Sequence, residues 1–179
     1  MKRFLTIAGL LIASTASLSA FAKGELVRIE VTGPTLSAPV VIADSKVLRE
    51  FFVWSGPNSG VPIGSPQSAD SRSFIDWHEG IMEHVPKGMT LYDVSFFHVF
   101  NKQPPEGRLT YAVKYAYDPV AQRGYIYLPG PTEENYRVNT STIIHGVEGH
   151  WFMASSRWES LVAPLIRQRT VRSTNENSE

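Results

Sequence analysis

Arg108-Leu109-Thr110-Tyr111-Ala112-Val113-Lys114-Tyr115-Ala116-Tyr117 decides the fold class of this chain. Leu109, Tyr111, Val113, Tyr115 and Tyr117 fall on one face, and Thr110, Lys114 and the following Asp118 on the other. A period of two is that of a half-buried β-strand, and Tyr and Val suit a pleated surface. The spacing predicts a strand with Leu109, Tyr111, Val113, Tyr115 and Tyr117 turned inward.

The pattern extends on both sides. Upstream, beyond a turn at Pro104-Pro105-Glu106-Gly107, Met89 to Phe100 places Tyr92, Val94, Phe96 and Phe100 on one face, with Leu91, Asp93, Ser95 and Phe97 on the other. Both faces of that strand are therefore partly covered. His98 shares the face of Tyr92, Val94 and Phe96, which predicts a buried, hydrogen-bonded histidine, while Asp93 and Lys114 suit a cross-strand ion pair or the lining of a cleft. Downstream, Asp118-Pro119 starts a turn and Gly124 to Leu128 returns as a strand. Nearer the N-terminus, Val27, Ile29 and Val31 alternate with Arg28, Glu30 and Thr32 until Gly33-Pro34, and Pro39 to Ile42 is a further short apolar run.

Links this short join antiparallel neighbours, because parallel strands need crossovers of about a dozen residues or more. The expected fold is α+β: a mostly antiparallel sheet or sandwich of about six to seven strands with two short helices. Asp44 caps the first helix, whose apolar face is Val47, Leu48 and Phe51 and which ends near Phe52. Ser156-x-x-Glu159 has the form of a capping box for the second, followed by Trp158, Leu161, Val162 and Leu165 at helical spacing. Pro164 kinks or ends that helix near Ala163, leaving residues 167–179 as a frayed or disordered tail. Ser55 to Arg72 is rich in Ser, Gly and Pro, and reads as a long loop, either a lid or a mobile connection.

Composition sets the class and the compartment. Lys2 and Arg3, the apolar run Phe4 to Ile12 and the small residues ending at Ala22 form a secretory signal, with cleavage expected after Ala22. Removing these 22 of 179 residues leaves 157, a length for one domain, at 23–166, with its own core. No later run approaches the roughly 20 apolar residues of a membrane span. The mature chain would carry 15 basic and 17 acidic residues, a net charge of −2, which argues against a nucleic-acid partner. Cys is absent, so disulfides, thiolate catalysis and Cys-ligated metals are excluded. The expected location is periplasmic or secreted, in a bacterial host.

Ile29-x-Val31-x-Gly33-Pro34, Val53-Trp54-x-Gly56-Pro57, Gly124-Tyr125-x-Tyr127-Leu128-Pro129-Gly130 and Glu148-Gly149-x-Trp151-Phe152 with Trp158 together resemble a group of exported bacterial proteins of uncharacterised function. The resemblance implies a single exported domain and supplies no chemistry.

Chemistry must come from the residues themselves. The G-x-S-x-G, G-x-x-x-x-G-K-[ST] and G-x-G-x-x-G signatures are absent, which removes the usual markers of serine hydrolases and nucleotide-binding proteins. His78 and His84 are six residues apart, about 600° of rotation on a helix, so they cannot share a face as the two His of a zinc-protease motif do. If Gly146 to Gly149 is a hairpin connection, His145 and His150 face each other at its base. That pair could ligate a divalent transition metal, act as an acid/base couple, or only close a turn. Trp54, Trp77, Tyr111 and Tyr115 could offer aromatic faces to a ligand, or could simply be core. The sequence thus points to an exported, non-catalytic binding or envelope-associated protein, with a small molecule, a glycan or an envelope protein as partner and no cofactor expected. The alternative is a metal-dependent, hydrolytic enzyme centred on His145 and His150.

Overall fold

The computed structural model describes residues 24–60, 72–83, 87–100 and 105–176, with side chains described as far as residue 169. Residues 1–22, which the sequence reading assigns to a secretory signal, residues 61–71 of the 55–72 loop and the last three residues lie outside this set. The fold is α+β with a six-stranded antiparallel sheet, in the order β2-β1-β3-β4-β5-β6. The strands are β1 (Glu25–Thr32), β2 (Val40–Ile42), β3 (Thr90–Val99), β4 (Arg108–Asp118), β5 (Arg123–Tyr127) and β6 (Trp151–Met153). The helices are α1 (Ser45–Leu48), α2 (Tyr136–Thr142), α3 (Ser156–Leu161) and α4 (Ala163–Glu176).

One face of the sheet makes the core. Ile29, Val31, Val94, Phe96, Tyr111, Val113, Tyr115, Ile126 and Phe152 are buried there with Leu48, Phe74, Val162 and Ile166. Trp158 of α3 lies at the centre, in ring contact with Phe51, Phe74, Phe96 and Tyr115. Alternation along β1, β3 and β4 decides this face, since each strand turns every second side chain toward the helices.

β4 departs from the simple alternation at its start. The register with β3 shifts between Phe96 and Phe97, so that Tyr111 opposes Phe96 while Leu109 opposes Phe97. The extra residue is Thr110. A bulge of this kind rotates the residues before it relative to those after it, so Leu109 is exposed and Thr110 is buried, the reverse of strict alternation. Thr110 Oγ1 donates to the Phe96 carbonyl at 3.2 Å and lies 2.6 Å from His98 Nδ1. A hydroxyl has one proton, so Nδ1 is the donor in that pair. His98 is buried and hydrogen-bonded as its position on β3 predicts.

Three further differences from the sequence expectations have local causes. Asp44 does cap α1, accepting from Lys46 N–H at 2.7 Å, but the helix ends at Leu48 and Phe51 reaches the core from the turn beyond. Ser155, not Ser156, caps α3 by accepting from Trp158 N–H at 3.1 Å, and Glu159 turns away from the cap toward the Tyr115 hydroxyl at 2.8 Å. The helix is interrupted near Ala163 as expected, α3 ending at Leu161, but the chain restarts at once as α4, with Pro164 in its first turn, where a missing N–H costs no hydrogen bond. Residues 167–176 are therefore helical where a disordered tail is expected.

Among the described residues no helix is long and apolar enough to cross a membrane.

Candidate functional site

His145 does not sit at the base of a β-hairpin. The segment before it is α2 followed by irregular chain, because α2 has another task. β5 pairs with β4 only from Lys114 to Asp118, so the earlier part of β4 needs another partner on that side. Asn139 of α2 provides one: its Oδ1 accepts from Ala112 N–H and its Nδ2 donates to Ala112 C=O, both at 2.7 Å. Thr142 Oγ1 donates to the Thr110 carbonyl at 2.5 Å. The Gly146–Gly149 turn does exist, with both glycines at positive φ, 76° and 86°. Its outgoing arm pairs with the end of β5, through Leu128 N–H to His150 C=O and Gly149 N–H to Leu128 C=O. His150 is thereby an exposed residue beside β5, whereas His145 is buried.

The surroundings of His145 form a hydrogen-bonded polar centre. Its ring contacts Trp77 at 5.0 Å and Tyr111 at 6.3 Å between centroids, and Trp77 in turn rests on Phe152 at 5.1 Å. Nδ1 is 2.8 Å from the Pro57 carbonyl, an acceptor only, so Nδ1 carries the proton. Asn58 Nδ2 donates back to the His145 carbonyl at 2.8 Å, pinning the 57–58 segment over the ring. Glu148 accepts from the backbone N–H of His145 at 2.6 Å and of Gly146 at 2.9 Å. Burial holds the imidazole below its usual pKa, against the opposing pull of the Pro57 and Val53 carbonyls and of Glu148. Burial, reinforced by Glu148, pushes the Tyr111 hydroxyl well above its ordinary range.

His145, Trp77 and Tyr111 thus come together, and His150, Trp54 and Tyr115 belong elsewhere. Trp54 is core, edge-on to His98 at 4.8 Å. Tyr115 is core beneath Glu159, whose own pKa is raised by burial. Among the described residues no three His, Asp or Glu are grouped closely enough to hold a metal ion.

A second feature lies on the opposite face of the sheet. The registers align Thr32, Asp93, Lys114, Tyr127 and Trp151 in one row across five strands. Asp93 is exposed and the other four are partly exposed. At ~4.8 Å per strand the row is about 19 Å long. Tyr127 and Trp151 are in ring contact at 5.1 Å, and the Tyr127 hydroxyl donates to Glu133 at 2.7 Å, which also accepts from Gly130 N–H. Burial together with that carboxylate pushes the Tyr127 pKa up to about 12. Strand alternation alone could have found this row had the pairing register been known; Trp151 and Tyr127 each look like ordinary sheet cover in isolation.

Comparison with protein-family models, curated proteins and solved structures found no match. The geometry alone carries the functional reading.

Proposed function

We propose that this chain is an exported, non-catalytic binding protein that engages an extended glycan of the cell envelope along the outer face of its sheet. The observation that carries this is the cross-strand row Thr32, Asp93, Lys114, Tyr127, Trp151. An aromatic pair at one end gives apolar faces for sugar rings, and the charged pair beside it gives a hydrogen-bond acceptor and donor for hydroxyl and amide groups. Glu133 fixes the Tyr127 hydroxyl, so the aromatic end is ordered before a ligand arrives, which lowers the cost of binding. Co-sedimentation of the full chain with purified cell-wall glycan tests the proposal. Retention of the wild type, and its loss on Trp151→Ala and on Asp93→Ala with Lys114→Ala, is the expected result; equal retention of the variants refutes it.

The metal-dependent reading has one observation in its favour. A histidine whose Nδ1–H is held by a backbone carbonyl presents Nε2 in the manner of a metal ligand. Calorimetry of chelator-treated protein with zinc, copper or nickel tests it, and requires saturable heat that disappears in His145→Ala.

A further inference from the structure

The sheet does not stop at β6. Two isolated antiparallel bridges continue it, Ile75 opposite Ala154 and Met82 opposite Trp151. Backbone hydrogen bonds hold this segment on the strand: Asp76 N–H donates to the Met153 carbonyl at 2.9 Å and Met82 N–H to the Trp151 carbonyl at 2.8 Å. Between the bridges the β6 side advances three residues, from Trp151 to Ala154, and the facing segment seven, from Ile75 to Met82. The surplus residues arch away, and Trp77 within the arch rests on Phe152 of the core. Met82 then returns to the sheet, partly exposed like Trp151.

Residues directly opposite each other in an antiparallel pair carry their side chains on the same side of the sheet. Met82 therefore shares the side of Trp151, and with it that of Tyr127, Lys114, Asp93 and Thr32. We infer that Met82 is a sixth position of this row, and that the row takes a flat, equatorially 1,4-linked glycan laid across the strands, one sugar ring to each position. Both points rest on this face being a glycan site, as proposed above.

Spacing and shape point to that ligand. With Met82 the row crosses five strand gaps, a span of about 24 Å. Pyranose rings joined through equatorial 1,4 bonds form a straight ribbon that advances, per ring, by about the distance between neighbouring strands. Successive rings therefore stay in step with successive row positions. An α-1,4-linked chain coils instead, and leaves a straight row after a few units. The side chains suit a ribbon as well. Asp93 and Lys114 supply an acceptor and a donor for ring substituents, and Tyr127, Trp151 and Met82 succeed one another as an apolar end. A thioether packs well beside an indole, so Met82 extends the surface on which a sugar face can rest.

Calorimetry of the full chain with β-1,4-linked N-acetylglucosamine oligomers of two to eight units tests the length, and the β-1,4- and α-1,4-linked glucose hexamers test the linkage. Affinity should climb roughly tenfold or more from trimer to hexamer and level off beyond, and the β-linked glucose hexamer should bind the tighter of the two. Met82→Ala should lower hexamer affinity roughly three- to tenfold, while Met82→Leu, apolar and of similar size, keeps the wild-type curve. The length and linkage series need only the wild type, so they decide the matter even if Met82→Ala fails to fold. Affinity that stops rising at three rings, no preference between the two linkages, or an unchanged curve in folded Met82→Ala overturns the inference and leaves a glycan site in place. Absence of heat from every oligomer overturns the glycan reading with it.

Discussion

Asn139 hydrogen-bonds both backbone groups of Ala112, and so stands in for the strand that β4 lacks at that point. Asn139 is 1% exposed, so neither partner can turn to water if the amide is lost. Asn139→Ala should cost about 3 kcal/mol, the sum of two unpaired buried groups. For a domain of this size that is a fall in Tm of roughly 6–12 °C. Asn139→Asp should cost at least as much at neutral pH, since a buried carboxylate still accepts from Ala112 N–H but sets a charged oxygen against the Ala112 carbonyl. Thermal unfolding followed by circular dichroism measures both.

Stability should depend on pH through His98. Burial lowers its pKa from 6.5 to about 4, so between those values the unfolded chain binds more protons than the folded one. Stability therefore rises with pH across that window, by about 3 kcal/mol at most, and the gain is complete above pH 6.5. His145, also lowered by burial, acts in the same direction. Glu159 acts oppositely: its raised pKa makes the folded state hold a proton just above the ordinary glutamate range, so its contribution falls as pH rises there. Urea unfolding between pH 4 and 7 should show a reduced slope in His98→Gln, which removes the titration but keeps an N–H for Thr110.

Gly124 is required by space and not by backbone angle. A Cβ there would collide with Glu159 Oε1 and with the ring and hydroxyl of Tyr115. Those two groups are hydrogen-bonded to each other at 2.8 Å and join α3 to the sheet, so neither can withdraw without breaking that bond. Gly124→Ala should destabilise the fold by about 1–3 kcal/mol. Gly124→Ala combined with Glu159→Ala should recover part of that loss, and denaturant midpoints of the single and double variants provide the comparison.

Most of the sheet was legible in the sequence because a period of two leaves a plain record in β1, β3 and β4. The bulge at Thr110 was not, since nothing local distinguishes an extra residue from a continued alternation. α2 was missed for a related reason. Tyr136–Thr142 has no apolar stripe, and its place is set by Asn139 and Thr142 bonding to a strand more than twenty residues earlier. That omission turned the next segment into an apparent hairpin and paired His145 with His150. The sequence pairs His145 with His150 and groups Trp77 and Tyr111 with Trp54 and Tyr115, because no periodicity records the Pro57 and Asn58 contacts that hold the His145 segment in place.

The most direct test of the sheet-face account is a tryptophan-fluorescence titration of the full chain with soluble cell-wall oligosaccharides, beside Trp151→Ala and Tyr127→Ala. The account predicts saturable quenching for the wild type and affinity lower by roughly ten- to a hundredfold in either variant, the scale of an aromatic anchor removed from an interface. A flat response from the wild type, or unchanged affinity in correctly folded Trp151→Ala, would contradict it.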